Sequence, residues 1–324
     1  MASNADSRWL AAAASLAARA RPLSRPNPAV AAILVKDDRV IGRGWTQQSG
    51  RPHAEAVALD QAGDAAKGAT LYVTLEPCAH RSQRGPACAD LAAASGLSRV
   101  IVGVEDPDPR TAGQGIARLR DAGIEITLAN DPVCAQSLAG YLTRARLDRP
   151  HVTLKLALSL DGCIATSDGE SQWITGAEAR AHVHRQRAFA DAILVGGGTW
   201  RADRPGLDAR LPGLEERSPQ RVVLTRGVAP DGVKVINAPD QIARLTKAHY
   251  LYVEGGAETA ASFIAADLVD TLHIYRAPIL IGGGRPALGD IGLATLADAH
   301  GRWQNTDTRR LGSDTLDVYA RSRS

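Results

Sequence analysis

Aromatic residues make up only 4% of this 324-residue chain. Its cores must therefore be built from Ala, Val, Leu and Ile. Long apolar runs are also missing. None approaches the roughly 20 residues of a membrane span, so no membrane partner is expected. Charge of neither sign dominates: the net charge is +3, with 17 basic and 15 acidic side chains in residues 1–148 and 21 and 20 in the remainder. A polyanion binder shows a lopsided basic face, so nucleic acid is not expected as the main partner. Cysteine is sparse, at positions 78, 88, 134 and 163. So few cannot form a disulfide framework, which implies a reducing, cytoplasmic setting. The Ala-rich stretch 9–20, WLAAAASLAARA, has the arginines of a targeting peptide. Its apolar part is short, Asp6 precedes it and no small-residue cleavage site follows, so a first amphipathic helix is expected instead.

What is present points to a globular α/β protein. A 44% apolar and 23% charged composition is ordinary for that class, and the length favours two domains. From Pro28 to Leu128 strands and helices alternate. AVAAILV (29–35) and RVIGRGW (39–45) form a hairpin around Asp37-Asp38. A helix at 54–62, a strand at 69–75, a helix at 87–95, a strand at 99–104, a helix at 116–123 and a strand at 124–128 follow. One helix is expected over 131–147, and a basic, Pro-containing stretch sets the domain boundary near 148, giving domains 1–148 and 149–324. The second domain reads as strands at 151–160, 191–199, 221–225, 233–236, 249–256, 269–280 and 314–320, with a helix at 178–190.

The chemistry gathers in the first domain. His53-Ala54-Glu55 opens the helix at 54–62, Glu76-Pro77-Cys78 ends a strand, and Cys88 starts the next helix. One imidazole and two thiolates leave a fourth tetrahedral position on zinc for water, the arrangement of a catalytic rather than a structural site. Zinc lowers the pKa of such a water towards neutrality. Glu55, two residues from a ligand, is placed to take the water's proton and return it to a ring nitrogen and a departing amine. The pattern H-x-E…P-C-x-x-C marks zinc deaminases of nucleobase-like rings. Here the match is partial, because nine residues, 79–87, separate the cysteines. Each element alone would be an ordinary buried histidine or reduced core cysteine; all of them in order form a site.

Further motifs accompany it: Pro26-Asn27-Pro28, His80, Glu105-Asp106-Pro107-Asp108-Pro109, Gly113-Gln114-Gly115, Leu160-Asp161-Gly162 and the run Gly169 to Thr175, GESQWIT. Together they resemble the bifunctional riboflavin-biosynthesis family, which joins a diaminohydroxyphosphoribosylaminopyrimidine deaminase to a 5-amino-6-(5-phosphoribosylamino)uracil reductase. The resemblance covers residues 8–320. It implies a cytidine-deaminase-like three-layer first domain, a dihydrofolate-reductase-like second domain that uses NADPH, a small phosphoribosylaminopyrimidine substrate, and a homodimer or higher homo-oligomer. It implies substrate contacts at Asn27, His80 and Asp106 in the deaminase, and at Ser171, Arg187, Leu207, Arg210 and Glu254 in the reductase; Lys155, on the first strand of that domain, is a cation placed to hold the ribose hydroxyls. It implies cofactor contacts at Ala157, Trp173, Thr199, Asp203, Gly256, Ala257, Glu258, Thr259, Ala260, Ala261 and Ser262. Glycines at 196–198 and 255–256 let a backbone approach phosphates closely, and they are equally ordinary turn residues.

Three departures stand out. The family's gap between the zinc cysteines is usually one residue shorter, which leaves open whether Arg81 or Arg84 meets a substrate phosphate. Asp203-Arg204-Pro205 replaces an Asp-Asp-Pro. Thr225-Arg226 stands where Asp-Ser is common, and Arg226 is expected to pair with the 2′-phosphate of NADPH because a guanidinium suits phosphate. Trimmed connections in the second domain keep one alternative open, an active deaminase with a degenerate second domain that binds ligand or mediates assembly. A nucleic-acid editing protein is disfavoured by the balanced charge and the long cysteine gap. A structural zinc module is disfavoured by Glu55 and the three-ligand count.

Overall fold

Asp37 and Asp38 both adopt left-handed backbone, at φ 51° and 56°. That is the conformation of a two-residue hairpin loop, whose twist matches its strands. It joins β1 (Ala31–Lys36) to β2 (Arg39–Trp45) antiparallel, with Lys36 opposite Arg39. The computed structural model describes residues 3–80, 83–228 and 231–323. After Asp148 the chain divides into two compact units.

In the first unit β3 (Thr70–Leu75), β4 (Arg99–Val104) and β5 (Glu125–Leu128) complete a sheet of order β2-β1-β3-β4-β5. β1 lies antiparallel to β3, whereas β3, β4 and β5 are parallel. Around it stand α1 (Asn4–Ala17), α2 (Ala54–Ala62), α3 (Cys88–Ala94), α4 (Gln114–Asp121), α5 (Pro132–Ser137) and α6 (Ala139–Leu147). Side chains alternate across a strand, and two contacts show what each face carries. Gly42 and Gly44 face α2, where an added Cβ would lie 2.2 Å from the Ala58 carbonyl oxygen and 2.3 Å from that of Ala54. Tyr72 lies opposite Ile33, on the other face, and its hydroxyl donates to Asp6 of α1 at 3.0 Å. The sheet is thus the middle of three layers, and the two glycines let the start of α2 sit directly on it. The single helix expected over 131–147 is broken at Leu138 (φ −100°, ψ 6°). That side chain is 1% exposed, and burying it turns the chain between α5 and α6.

The second unit contains β6 (His151–Leu158), β7 (Cys163–Ala165), α7 (Ala177–Phe189), β8 (Ala192–Gly196), α8 (Gly197–Asp203), β9 (Gln220–Leu224), β10 (Lys234–Ile236), β11 (Tyr250–Val253), α9 (Ala257–Ala265), β12 (Thr271–Arg276), β13 (Arg285–Pro286), β14 (Trp303–Leu311) and β15 (Asp314–Arg321). The main sheet runs β10-β9-β8-β11-β6-β12-β15-β14, parallel as far as β12 and antiparallel beyond it. The small β7–β13 ladder stands apart. The strand expected over 191–199 ends at Gly196, and the glycine run opens α8 instead. α9 and β14 were not legible: α9 falls in a segment assigned to the cofactor, and β14 is a largely exposed outer strand reading WQNTDTRRL, without apolar alternation. Among the described residues, no helix is long and apolar enough to cross a membrane.

One buried ion cluster ties the ends of this unit. Asp270 accepts from Arg149 at 2.7 and 2.9 Å, from the Val152 N–H at 2.8 Å and from Arg323 at 2.6 Å. Burial raises its carboxyl, but the Arg149 bonds and neighbouring positive charge outweigh this and hold it below the usual range. The stabilisation is therefore present above the unfolded value of about 3.9 and drains as pH falls through the lower folded value. Asp270→Asn should cost roughly 3 kcal/mol at pH 7, since it leaves buried guanidinium charge unpaired. In urea titrations the gap between parent and variant should narrow on acidification; a gap independent of pH would refute the assignment.

Candidate active site

His53 caps the N-terminus of α2 with extended backbone (φ −73°, ψ 163°) and makes no side-chain cap bond, so its ring is available to the site. Cys78 follows the end of β3, and Cys88 is the first residue of α3. The His53 Nδ1 lies 3.5 Å from Cys78 Sγ and 3.4 Å from Cys88 Sγ. All three donor atoms fall within 4.8 Å of one another. Zinc bonds of about 2.3 Å to sulfur and about 2.0 Å to nitrogen, set tetrahedrally, require N···S edges of about 3.5 Å. Both N···S edges therefore match those of a zinc site. The two thiols already behave as a pair. Bonding from Cys88 and His53 holds Cys78 down at about 4, while Cys88, donating to it, is pushed up.

Glu55 lies in the first turn of α2 and is 3% exposed. Burial pushes its carboxyl up to about 7, against the charge of His53. It lines a cavity of about 270 Å³ together with Asn27, His53, Cys78, His80 and Asp106. The amide nitrogen of Asn27 sits 3.2 Å from the Gly50 carbonyl oxygen and 3.2 Å from His53 Nε2, so the expected substrate residue also touches the back of a metal donor. His80 Nδ1 lies 3.4 Å from Thr111 Oγ1. The loop between the cysteines is tied down by two arginine bonds. Arg84 donates to the Ser49 carbonyl at 2.7 Å, and Arg51 donates to that of Pro86 at 3.2 Å. Arg84 lines the cavity, whereas Arg81 lies outside the described residues.

Glu76 explains two further motifs. Its carboxylate accepts from the N–H groups of Asp106 (3.3 Å), Gly113 (3.0 Å) and Ile116 (3.0 Å), binding the segment after β4 to the end of β3. Gly115 is required there, since a Cβ would lie 2.0 Å from the Pro77 carbonyl oxygen.

The second unit gathers its expected residues less completely. Glu254, just past β11, pairs bidentately with Arg187 of α7 at 2.7 and 3.0 Å, and Lys155 of β6 stands 3.9 Å away. Burial would raise Glu254, but the Arg187 bonds and the charge of Lys155 hold it below its usual range. Burial lowers Lys155. Arg187 also donates to the Asp208 carbonyl at 3.2 Å, between Leu207 and Arg210, while the exposed Arg210 side chain pairs with Asp208 at 2.8 Å. Leu207 itself is 2% exposed, so its side chain belongs to the core and only its backbone can meet a ligand. Ser171 and Trp173 lie on an exposed segment, with Trp173 stacked by Arg180 at 5.0 Å.

At the carboxyl ends of β8 and β11 the two glycine runs meet. Gly196 and Gly255 are packing positions: an added Cβ would lie 2.2 Å from Thr259 Oγ1 and 2.4 Å from Thr259 Cβ respectively. Gly256, the N-cap of α9, faces Thr199 more loosely, and no side chain caps that helix. Thr259, Ala260 and Ala261 are buried, so of this segment Gly256, Ala257, Glu258 and Ser262 keep some exposure. Asp203 ends α8 on the surface, and Ala157 is half-buried on β6. Arg226 is exposed just beyond β9, next to Thr225, which packs against Gly197.

Comparison with known proteins agrees with both halves. Residues 150–316 match the RibD C-terminal domain, and residues 3–104 match the cytidine and deoxycytidylate deaminase zinc-binding region. The riboflavin biosynthesis protein RibD of Bacillus amyloliquefaciens is 40% identical over 85% of each chain. That of Escherichia coli (strain K12) is 36% identical over 95% of this chain and 97% of its own. This chain belongs to the RibD family. It carries both domains of that family and is a bifunctional deaminase and reductase of riboflavin biosynthesis with a zinc-binding deaminase half. Acinetobacter baumannii RibD superposes with a TM-score of 0.86 at 33% identity, covering 98% of this chain and 99% of that one. A Thermotoga maritima diaminohydroxyphosphoribosylaminopyrimidine deaminase/5-amino-6-(5-phosphoribosylamino)uracil reductase superposes at 0.87 with 29% identity and the same coverage. Within this RibD-type pocket, sequence reasoning missed Tyr141, Arg51 and Arg110. Tyr141 comes from α6, and no local pattern connects that helix with the metal donors.

Proposed function

We propose that the chain deaminates 2,5-diamino-6-(5-phosphoribosylamino)pyrimidin-4-one and then reduces the ribosyl group of the resulting aminouracil to ribityl with NADPH. Domain 1–148 performs the first step and domain 149–324 the second. The observation that carries the reading is Glu55, a buried carboxyl beside a three-donor set matched to zinc. His53, Cys78 and Cys88 would hold the ion, which would supply the Lewis acidity that makes a water nucleophilic near neutral pH. Glu55 is placed to take both protons of the attacking water in turn, passing the first to the ring nitrogen and the second to the departing amine. Asn27, His80 and Asp106 hold the pyrimidine and its ribosyl phosphate, with Arg84 at the rim.

In the second step NADPH supplies the hydride, and the protein's part is orientation. Lys155, Arg187 and Glu254 hold the ribosyl hydroxyls, with Ser171, Arg210 and the Leu207 backbone around them. The uncapped N-terminus of α9 suits an anion, so the Gly256–Ser262 segment and Thr199 take the cofactor phosphates. Ala157, Trp173 and Asp203 lie along the rest of the cofactor. Arg226 pairs with the 2′-phosphate. Arg226→Ala should raise the KM for NADPH about tenfold or more and leave that for NADH unchanged; an unaltered preference would remove Arg226 from this role.

The decisive experiment is a coupled assay on one preparation. Ammonia release should precede NADPH oxidation, and oxidation should require the deaminated product. Deamination without any oxidation of NADPH would instead support a degenerate second domain. The chain works as a homodimer or higher homo-oligomer in the cytoplasm, where its free, buried cysteines stay reduced; light scattering of the purified protein tests the assembly.

A further inference from the structure

Tyr141 stands on α6, in a stretch that no motif marks, yet it lines the metal-donor cavity. Its hydroxyl donates to Asp106 Oδ1 at 2.7 Å. The Asp108 N–H donates to the same oxygen at 3.0 Å. The Asp106 N–H is in turn held by Glu76 Oε2 at 3.3 Å. The backbone of Asp106 is thus fixed from the end of β3 and its carboxylate from α6. Among the described residues, both bonds that this carboxylate accepts fall on Oδ1. Asp106 is 7% exposed and lines the cavity, so Oδ2 is the oxygen left to accept from a ligand. A buried carboxylate with one oxygen satisfied by protein and one offered inward is a directional acceptor. Burial raises this carboxyl above its usual range, and the Tyr141 bond opposes that rise.

We propose that Tyr141 is a positioning residue for substrate binding in the deaminase unit: its hydroxyl occupies Asp106 Oδ1 and turns Oδ2 towards the N–H or O–H groups of the ribosylaminopyrimidine. This rests on the reading of the cavity as the deaminase substrate site. Phenylalanine at 141 would fill the same space but would leave Oδ1 with one donor fewer, and the carboxylate would lose its fixed direction.

The test is steady-state deamination of the ribosylaminopyrimidine by Tyr141→Phe, Asp106→Ala and the double variant, with zinc content measured on each. Tyr141→Phe should raise KM about tenfold with kcat within about twofold of the parent, the signature of lost binding rather than lost chemistry. In the Asp106→Ala background it should add nothing, because the two residues act as one unit. A parental KM for Tyr141→Phe, a fall in kcat alone, or a full additional loss in the double variant would each overturn the proposal. Failure of the underlying reading looks different: Asp106→Ala itself would then bind substrate as the parent does. Tyr141→Phe alone keeps the test decisive should Asp106→Ala not fold.

Discussion

Glu55→Gln is expected to lose deaminase turnover by about a thousandfold while zinc content stays at the parental level. The amide keeps the size and most of the hydrogen bonding of the carboxyl but cannot carry a proton between water, ring nitrogen and amine. The donor atoms of His53, Cys78 and Cys88 do not include Glu55, so the metal should remain. Because the side chain is buried, bulk water cannot stand in for it. Metal analysis and ammonia release on the same sample check both halves of the prediction. Parental turnover would remove Glu55 from the proton path, and loss of zinc would mean that it holds the site together instead. NADPH oxidation on pre-deaminated substrate should be untouched, which makes this variant a tool for isolating the second step.

Glu254→Gln should have the largest effect on the reductase unit. Its carboxylate neutralises Arg187 through two bonds and faces Lys155, with the Arg187 and Glu254 side chains 14% and 9% exposed. Removing the charge leaves a buried guanidinium without its partner, a change that costs roughly 3–5 kcal/mol when buried pairs are broken. NADPH oxidation should fall at least about a hundredfold, because the groups proposed to hold the ribosyl hydroxyls lose their common anchor. Ammonia release should stay near the parental rate. A urea titration of the variant separates lost stability from lost activity. If Glu254→Gln oxidises NADPH normally while its urea midpoint drops, the cluster is structural and the substrate lies elsewhere in the unit.

Much of the fold could be read from the residues. The hairpin at Asp37-Asp38, the helix at 54–62 and the strand at 99–104 were legible because turn chemistry and apolar period act locally. The break at Leu138 was not, since burial of that side chain depends on the sheet beneath it. Nor was β14, whose exposed outer position needs no apolar face. The glycine run at 196–198 read as the continuation of a strand, whereas in the fold it packs against Thr259 of α9 and Thr225 just past β9 and starts a helix.

The zinc donors opened the functional argument, and here the division is clear. By itself the sequence determined which atoms could hold the metal and which carboxyl could move protons, because zinc chemistry restricts the donor types. The tertiary structure alone decided that these donors converge towards the corners of one tetrahedron, and that Glu76 clamps the loop carrying Asp106. It alone brought Tyr141 to that carboxylate from a separate helix. Spacing along a chain specifies which groups exist, whereas distances between segments far apart in sequence are set by how helices settle on a sheet. In this protein that settling depends on Gly42, Gly44 and Gly115, where a single methyl group would push the elements apart.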